Sequence, residues 1–535
     1  MALKLKNTQK ITKVLNVFRN DLRRDAYEWF KFYFLLFSGI ALIRLLVFII
    51  VLLLAGIFGM IISFGASRDP KVPFSPIRTK LATGVSALAR IMLFSLGFHC
   101  ITIDNREKDK NISNICVVGP HTGLMDSFFI TWYFLPSPVS KLEVRSIPIF
   151  GSLCVALQTI FVDRKDAHTG PHSRKACIDN INLRSKKSSG FPRVVLFPEG
   201  TTTNGKALME FKKGAFIPGE PVTPVLLTYT NKYYSPAAVG ENESNMSVVR
   251  CLFQFDNNIS ATILDAYVPN EEEKRDPELY ARNVRDLMAK EMEMPTTEHS
   301  YPDLFLQVEM IDKHKHVFVE HDFTLKDVKA KTGLELDDLK VILGRFLAIN
   351  KDKTGSISLP EFNALGVCDE VVGEGGTKWV NYRERLFDFF VGGEGPIQYR
   401  DFLEMMILTE EGGKGRIEDV VNYGWLLFDT EMNGSAAIEG MLKMFADKED
   451  LFKGLDGDKD GKLSYDEWKA ACEKSSEIGD LLMGKLADKM GISVSSVKCQ
   501  RKDAGSGVPA VETTPLKESA DGGVGTEAVK IELGK

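Results

Sequence analysis

His121 and Asp126 are five residues apart and can work as a base and the acid that orients it, provided the chain folds them together. On a regular helix five residues turn ~500°, which leaves two such side chains ~140° apart. They meet only if the histidine sits in a turn and the aspartate opens the helix behind it. Gly119-Pro120 before the histidine and Gly123 after it supply such a turn, and Asp126 suits a first-turn position. A carboxylate bonded to one imidazole nitrogen fixes the tautomer and leaves the other nitrogen free to take a proton. His99 and Asp104 share the spacing, but Phe98 to Asp104 reads as a strand, where residues i and i+5 face opposite sides. That second pair is read as structural.

Two further segments add anion-binding chemistry. Phe197-Pro198-Glu199-Gly200-Thr201-Thr202-Thr203-Asn204-Gly205-Lys206 follows a strand-like run, and its backbone N–H groups and hydroxyls can cradle a phosphate. Lys206 brings positive charge, with Lys212 and Lys213 close behind. Arg164, at the end of Phe161-Val162-Asp163-Arg164, has the planar fork that grips a phosphate with two bonds. Either segment alone reads rather as a polar β-turn loop with a surface arginine.

A separate chemistry occupies the C-terminal half. Asp456 to Glu467 meets the demands of a calcium-binding EF loop, with Asp456, Asp458, Asp460 and Glu467 at positions 1, 3, 5 and 12, the Lys462 carbonyl at 7, and Gly461 at 6 for the sharp turn. Asn350 to Glu361 is a second match, offering Asn350, Asp352, Thr354, the Ser356 carbonyl and Glu361; its neutral oxygens imply weaker binding. Asp429 to Gly440 has Gly440 where the bidentate acid belongs, and Phe390 to Asp401 resembles a loop stripped of ligands. Pairing of the last two loops is left open by their short separation.

The elements that must position these residues follow from periodicity. Residues 80–300 alternate β-rich runs (Ile115 to Val118, Thr159 to Val162, Val194 to Phe197, Val225 to Leu227, Ala261 to Val268) with helical patterns at Asp126 to Leu135 and Ser173 to Leu183. That alternation predicts an α/β domain built on a mainly parallel sheet with flanking helices, with chemistry in the loops at strand ends. Residues 301–333 read as a connector, 334–475 as an all-α EF-hand domain, and 476–535 as an extension disordered from 498.

Residues 1–79 read as a membrane-anchoring region. Leu45 to Ser67 is a 23-residue run without a charge, longer than the ~20 residues a helix needs to cross a bilayer. A shorter apolar stretch, Phe32 to Ile43, precedes it, with Arg44 between, so residues 32–67 suit one tilted span or a hairpin. Residues 1–31 carry eight Lys/Arg against three acids and further basic residues follow the span, which points both ends at the cytosol. The run starts too late and is too long for a cleavable signal peptide. Ile11, Val14, Phe18 and Leu22 recur at helical spacing among basic residues, the pattern of a surface helix on an anionic bilayer or of an ordinary solvated helix. A net charge of −5 over 535 residues argues against nucleic acid as a partner, and eight scattered cysteines fit reduced thiols rather than disulfides or a zinc site.

Taken in order, the blocks from His121 to Asp126, Phe161 to Arg164, Phe197 to Thr201 and Val222-Thr223-Pro224-Val225 resemble the glycerolipid acyltransferase superfamily. The glycine that opens the family's second block is replaced here by Gln158 or displaced to Gly151. Phe197 to Gly205 and Gly214 to Gly219 are most similar to the lysophosphatidylcholine/lysophosphatidylethanolamine acyltransferase branch, some members of which carry C-terminal EF-hands. The resemblance implies an acyl-CoA-dependent O-acyltransferase acting on a lysophospholipid at a membrane, by family habit the cytosolic face of the endoplasmic reticulum. It implies His121 as base, Asp126 as its orienting acid, and Arg164, Glu199, Gly200 and Thr201 as the binders of acceptor phosphate and glycerol. The alternatives are a lysophosphatidic acid or glycerol-3-phosphate acyltransferase and, from another class, a non-catalytic calcium-sensing membrane adaptor. The sequence holds neither a G-x-S-x-G nucleophile elbow nor a P-loop.

Overall fold

The computed structural model describes residues 13–19, 25–67, 69–163, 170, 172–229, 235–239, 243–312, 322–332, 334–364, 387–389, 391, 395–409, 417–429, 434–438, 454–475, 477–478 and 481–482. A seven-stranded sheet organises the first part, in the order β1-β7-β6-β2-β5-β3-β4. The strands are β1 (Ile101–Asn105), β2 (Ile115–Gly119), β3 (Ser137–Lys141), β4 (Ile160–Val162), β5 (Val194–Leu196), β6 (Val222–Thr228) and β7 (Ile259–Ile263). Every neighbouring pair is parallel except β6 with β7. Buried on both faces, β2 and β5 are unbroken apolar runs, as parallel strands covered by helices must be.

The expected strand from Ala261 to Val268 is instead Ile259–Ile263, and β3 has no apolar run to betray it. Ser-Pro-Val-Ser-Lys becomes a strand because β4 and β5 flank it on either side. Gln158, where the family's second block opens with glycine, holds a left-handed φ of 54°, a conformation that glycine adopts freely. Gly151 is fixed for a different reason: a Cβ there would lie 2.1 Å from the Arg145 carbonyl oxygen.

The N-terminal helices α1 (Ala26–Phe37) and α2 (Ile40–Ser63) break at Ser38-Gly39, where Gly39 is left-handed at φ 75°. The break does not fall at Arg44, the only charge in the apolar run, because that guanidinium has partners. Its Nη1 donates to the Gln254 carbonyl at 2.5 Å and its Nη2 to the Phe255 carbonyl at 3.1 Å, beside the C-terminal end of α7 (Glu243–Leu252). Among the described residues α2 alone is long and apolar enough to cross a membrane. One side of it packs on α3 (Pro76–Ser95) and α5 (Phe150–Ala156) through small residues: a Cβ on Gly59 would meet the Ser152 carbonyl oxygen at 2.9 Å. The other side is bare hydrocarbon, and Phe37, Phe64 and Ile77 at the neighbouring helix ends are exposed as well.

The basic stretch expected to be an amphipathic helix is not one over residues 13–19, which hold no regular structure beyond a turn at Val17-Phe18. Val17 and Phe18 are buried with Ala207, Met209, Ala237 and Val239, so tertiary burial overrides the helical spacing. The 301–333 segment, read as an unpatterned connector, contains α10 (Tyr301–Asp312) and α11 (Leu325–Thr332). Leu306 and Val328 enter the core of the C-terminal helices, which include α12 (Leu336–Ile349). There the described chain joins loops in two pairs. Ile357 and Ile397 exchange backbone hydrogen bonds of 2.9 Å, and Ser435–Ala437 pairs antiparallel with Lys462–Ser464, which joins the last two loops. The 498–535 tail lies outside the described residues.

Candidate active site

β2 runs into a turn at its C-terminal end, and α4 (Leu124–Phe134) starts immediately behind it. The turn brings His121 Nδ1 to 2.8 Å from Asp126 Oδ2, with the peptide between Gly119 and Pro120 in cis. Asp126 stands at the third position of α4 and is fully buried, yet its charge is well compensated. The N–H groups of Thr122 (2.6 Å) and Gly123 (3.0 Å) donate to Oδ2, and Thr122 Oγ1 (3.0 Å) and the Tyr229 hydroxyl donate to Oδ1. Four donors besides the imidazole make this a preformed carboxylate cage. Burial, then the Asp126 charge, push the Tyr229 hydroxyl well above the usual phenol range, so it remains a donor.

The imidazole lies against the Phe197 ring, with centroids 3.9 Å apart and planes 21° from parallel. Its side chain is 18% exposed, so the corner opens to the surface. The 197–206 loop closes on the turn from below: the His121 N–H donates to Glu199 Oε2 at 2.6 Å, the Met209 N–H to Oε1 at 2.9 Å, and the Thr203 N–H to the His121 carbonyl at 2.8 Å. Glu199 is fully buried, and desolvation pushes its carboxyl up to about 7 against the pull of those two backbone N–H groups. Its oxygens are turned to the backbone, so this side chain props the turn.

Gly200 is left-handed at φ 71°, and a Cβ there would sit 2.5 Å from Lys212 Nζ. The lysine therefore lies across the glycine, its ammonium also 4.8 Å from the Tyr301 ring centre. Lys213 points elsewhere, into an ion pair with Glu278 at 2.8 Å. Lys206 is exposed and Thr201 half-buried on the same loop. Arg164 lies outside the described residues; its neighbour Asp163 lines a shallow depression of about 330 Å³ with Leu142, Glu143, Arg145 and Ser146. A more enclosed apolar pocket of about 260 Å³, with Phe74, Pro136, Gln158 and Pro192 in its wall, sits where β3, β4 and β5 begin. The parallel strands put His121 at the opposite end of the sheet, so that pocket has no part in its chemistry.

His99 and Asp104 do not meet; His99 Nδ1 is 3.0 Å from Asp256. One donor to Asp126 has no local mark in the sequence: Tyr229, which follows β6, reaches Oδ1 from over a hundred residues away.

A family model described as Acyltransferase matches residues 100–228, from β1 through the His121 turn and the Glu199 loop to the end of β6. Fold and match together define an acyltransferase. Over a longer reach the chain is 31% identical across 403 residues to lysophosphatidylcholine acyltransferase 2 of Mus musculus, covering 73% of this chain and 70% of that one. It is 29% identical across 483 residues to lysophosphatidylcholine acyltransferase 1 of Rattus norvegicus (87% and 86%), and 29% across 502 residues to lysophosphatidylcholine acyltransferase 2 of Danio rerio (90% and 90%). The chain belongs to the lysophospholipid acyltransferase family.

Proposed function

We propose that the protein moves an acyl group from acyl-CoA to the free glycerol hydroxyl of a lysophospholipid, with His121 as the general base. The observation that carries this is the buried Asp126 holding His121 Nδ1 at 2.8 Å while the imidazole side chain stays 18% exposed. In that tautomer Nδ1 keeps its proton and Nε2 offers a lone pair. The acceptor hydroxyl gives its proton to Nε2 as its oxygen attacks the thioester carbonyl. The tetrahedral intermediate collapses, the C–S bond breaks, and the departing CoA sulfur takes the proton from His121. No acyl-enzyme forms. Gly200, Thr201, Lys206 and Lys212, with Arg164, are the groups proposed to hold the acceptor's phosphate and glycerol, and Glu199 and Asp126 keep the turn in register.

The bare apolar face of α1, α2 and α3 supports membrane attachment, and the basic residues around it support a cytosol-facing position on a membrane such as the endoplasmic reticulum. The helical module is proposed to bind calcium. Asp456, Asp458 and Asp460 bring oxygens within 4.8 Å of one another, and the Gly457 N–H donates to Glu467 Oε1 at 3.0 Å, folding the last acid over the loop. That donor set fits a hard cation seeking oxygen ligands. The 350–361 loop fits less well. Asn350 turns its amide nitrogen onto Asp352 Oδ1 (2.6 Å) and the Ser356 carbonyl (2.7 Å), while its Oδ1 accepts from the Gly355 N–H.

The test is labelled acyl-CoA with a panel of lysolipids in detergent or vesicles, for wild type and His121→Ala. Product with at least one lysophospholipid from wild type and none from His121→Ala is expected. Equal turnover by the variant would overturn the assignment of the base, and product only with lysophosphatidic acid or glycerol-3-phosphate would move the acceptor class.

A further inference from the structure

Residues 13–19 touch both the loop that closes on His121 and the segment leading into the C-terminal helices. Asn204, next to Thr203 in that loop, is bound from three directions. Its Nδ2 donates to the carbonyls of Asn16 (3.0 Å) and Arg19 (2.9 Å), and its N–H donates to the Val17 carbonyl at 2.8 Å. Its Oδ1 accepts the Lys206 N–H at 3.0 Å, closing the turn from inside. Adjacent Thr203 is the residue whose N–H holds the His121 carbonyl. Val17 and Phe18, both buried, plug this end of the segment into the domain.

The other end is tied just as specifically. The Val14 N–H donates to the Asp322 carbonyl at 2.7 Å, and Lys13 Nζ lies 3.4 Å from Asp322 Oδ2. Asn16 Nδ2 reaches Gln307 Oε1 of α10 at 3.3 Å. Asp322, with a side chain only 4% exposed, takes its main charge-assisted bond from Arg400 Nη1 at 2.8 Å. Arg400 is three residues from Ile397, the residue that pairs backbone to backbone with Ile357 inside the 350–361 loop. Hydrogen bonds joined by short stretches of backbone (Ile397 to Arg400, Asn204 to Thr203) therefore run from that loop through Arg400, Asp322 and the 13–19 strap to the His121 turn.

We propose that Asn204 is a positioning residue for acyl transfer, and that the 13–19 strap carries the state of the helical module to it through Asp322 and Arg400. Asn204 touches neither reacting atom; it holds the loop that sets the height of His121. The Arg400–Asp322 pair is nearly buried, so its geometry follows any shift of the Ile357–Ile397 ribbon rather than slackening in solvent. The calcium limb of this proposal rests on the calcium reading given above; the mechanical limb does not.

A kinetic double-mutant cycle on the full chain separates the two. Asn204→Asp keeps the Oδ1 that closes the turn and deletes both Nδ2 donors; Arg400→Gln loosens Asp322 at the far end. Each is expected to lower kcat about five- to tenfold with little change in KM for acyl-CoA or acceptor, and the double variant to be no slower than the worse single. Melting temperatures control for folding, and Arg400→Lys, which retains the charge, is expected to recover part of the rate. Independent effects that multiply, or an Arg400→Gln enzyme as fast as wild type, would overturn the proposal. The calcium arm measures turnover against free calcium, with binding followed by calorimetry. Calcium that binds and changes the wild-type rate, but not the rate of Asn204→Asp, supports transmission; an unaltered response in both variants refutes it. Absence of calcium binding by wild type would refute the calcium reading alone, leaving the cycle to judge the strap.

Discussion

Two groups of carboxylates among the described residues are treated in opposite ways. At the end of β2, Asp126 and Glu199 are fully buried, and every oxygen faces a donor from the protein itself. In the 456–467 loop, Asp456 is half-buried, Asp458 and Asp460 are exposed, and the three crowd one another. Against the pull of the Asp460 N–H, Asp458 is raised by its hydrogen bond to Asp456, by desolvation and then by the Asp460 and Glu467 charges. The first cluster is finished by folding. The second is arranged so that a divalent cation would relieve repulsion that folding leaves in place. Acids that orient a base need fixed partners before substrate arrives, whereas acids that take up an ion need lone pairs still to give.

The largest test of that contrast is Asp126→Asn. The amide keeps the shape of the cage but presents a donor to N–H groups already aimed at it, and it lets the imidazole settle in the wrong tautomer. We expect kcat to fall by about 10³- to 10⁴-fold with folding retained. A loss below tenfold would mean the carboxylate is only structural.

Glu199→Gln asks whether burial truly loads the finished cluster. A folded-state value near 7 against about 4.5 for the free group means that the unfolded chain ionises first as pH rises. Stability contributed by protonated Glu199 is therefore complete below pH 4.5 and is lost as pH passes through 7, a difference on the order of 3 kcal/mol. Denaturation between pH 4.5 and 7.5 should show that decline in wild type and a flatter profile in Glu199→Gln. The variant is less stable throughout its acid range, because one backbone N–H loses its acceptor. Parallel profiles would place the titration elsewhere.

At the exposed cluster, Glu467→Gln should weaken calcium binding by at least about tenfold, and Glu361→Gln should change total binding far less, given the neutral ligands of its loop. Calorimetry on the full chain reads both. Equal losses would show that the two loops share the cation load.

Local patterns made some of this legible and left the rest hidden. The His121 turn could be read because Gly119-Pro120, Gly123 and a helix-opening aspartate lie within eight residues. The parallel sheet could be read because β2 and β5 are apolar throughout. The break at Gly39 was not legible, and neither was the role of Arg44, since the arginine's partners, the carbonyls of Gln254 and Phe255, are over two hundred residues away. Residues 13–19 have helical spacing and are not helical, because Val17 and Phe18 are claimed by a cluster assembled from residues 207–239. Glu199 reads from its motif as a ligand for substrate, while its geometry makes it a brace, a distinction that only the Met209 and His121 N–H groups reveal.

The smallest effect comes from Tyr229→Phe, and it measures how redundant the finished cluster is. Oδ1 of Asp126 has two hydroxyl donors, from Thr122 at 3.0 Å and from Tyr229. Removing the tyrosine hydroxyl leaves Thr122 and the two backbone N–H groups in place, so the carboxylate stays satisfied and the imidazole stays oriented. We expect kcat to fall only about three- to tenfold, with the loss of one hydrogen bond to a charged group as its source. Thr122→Val alone should behave similarly. Together the two changes strip Oδ1 of both hydroxyl donors while the Asp126 carboxylate stays fully buried, and the double variant should lose more than the product of the single losses. If Tyr229→Phe alone cost as much as Asp126→Asn, Oδ1 would depend on one phenol, and the site would resemble the exposed loop in waiting for a partner from outside the fold.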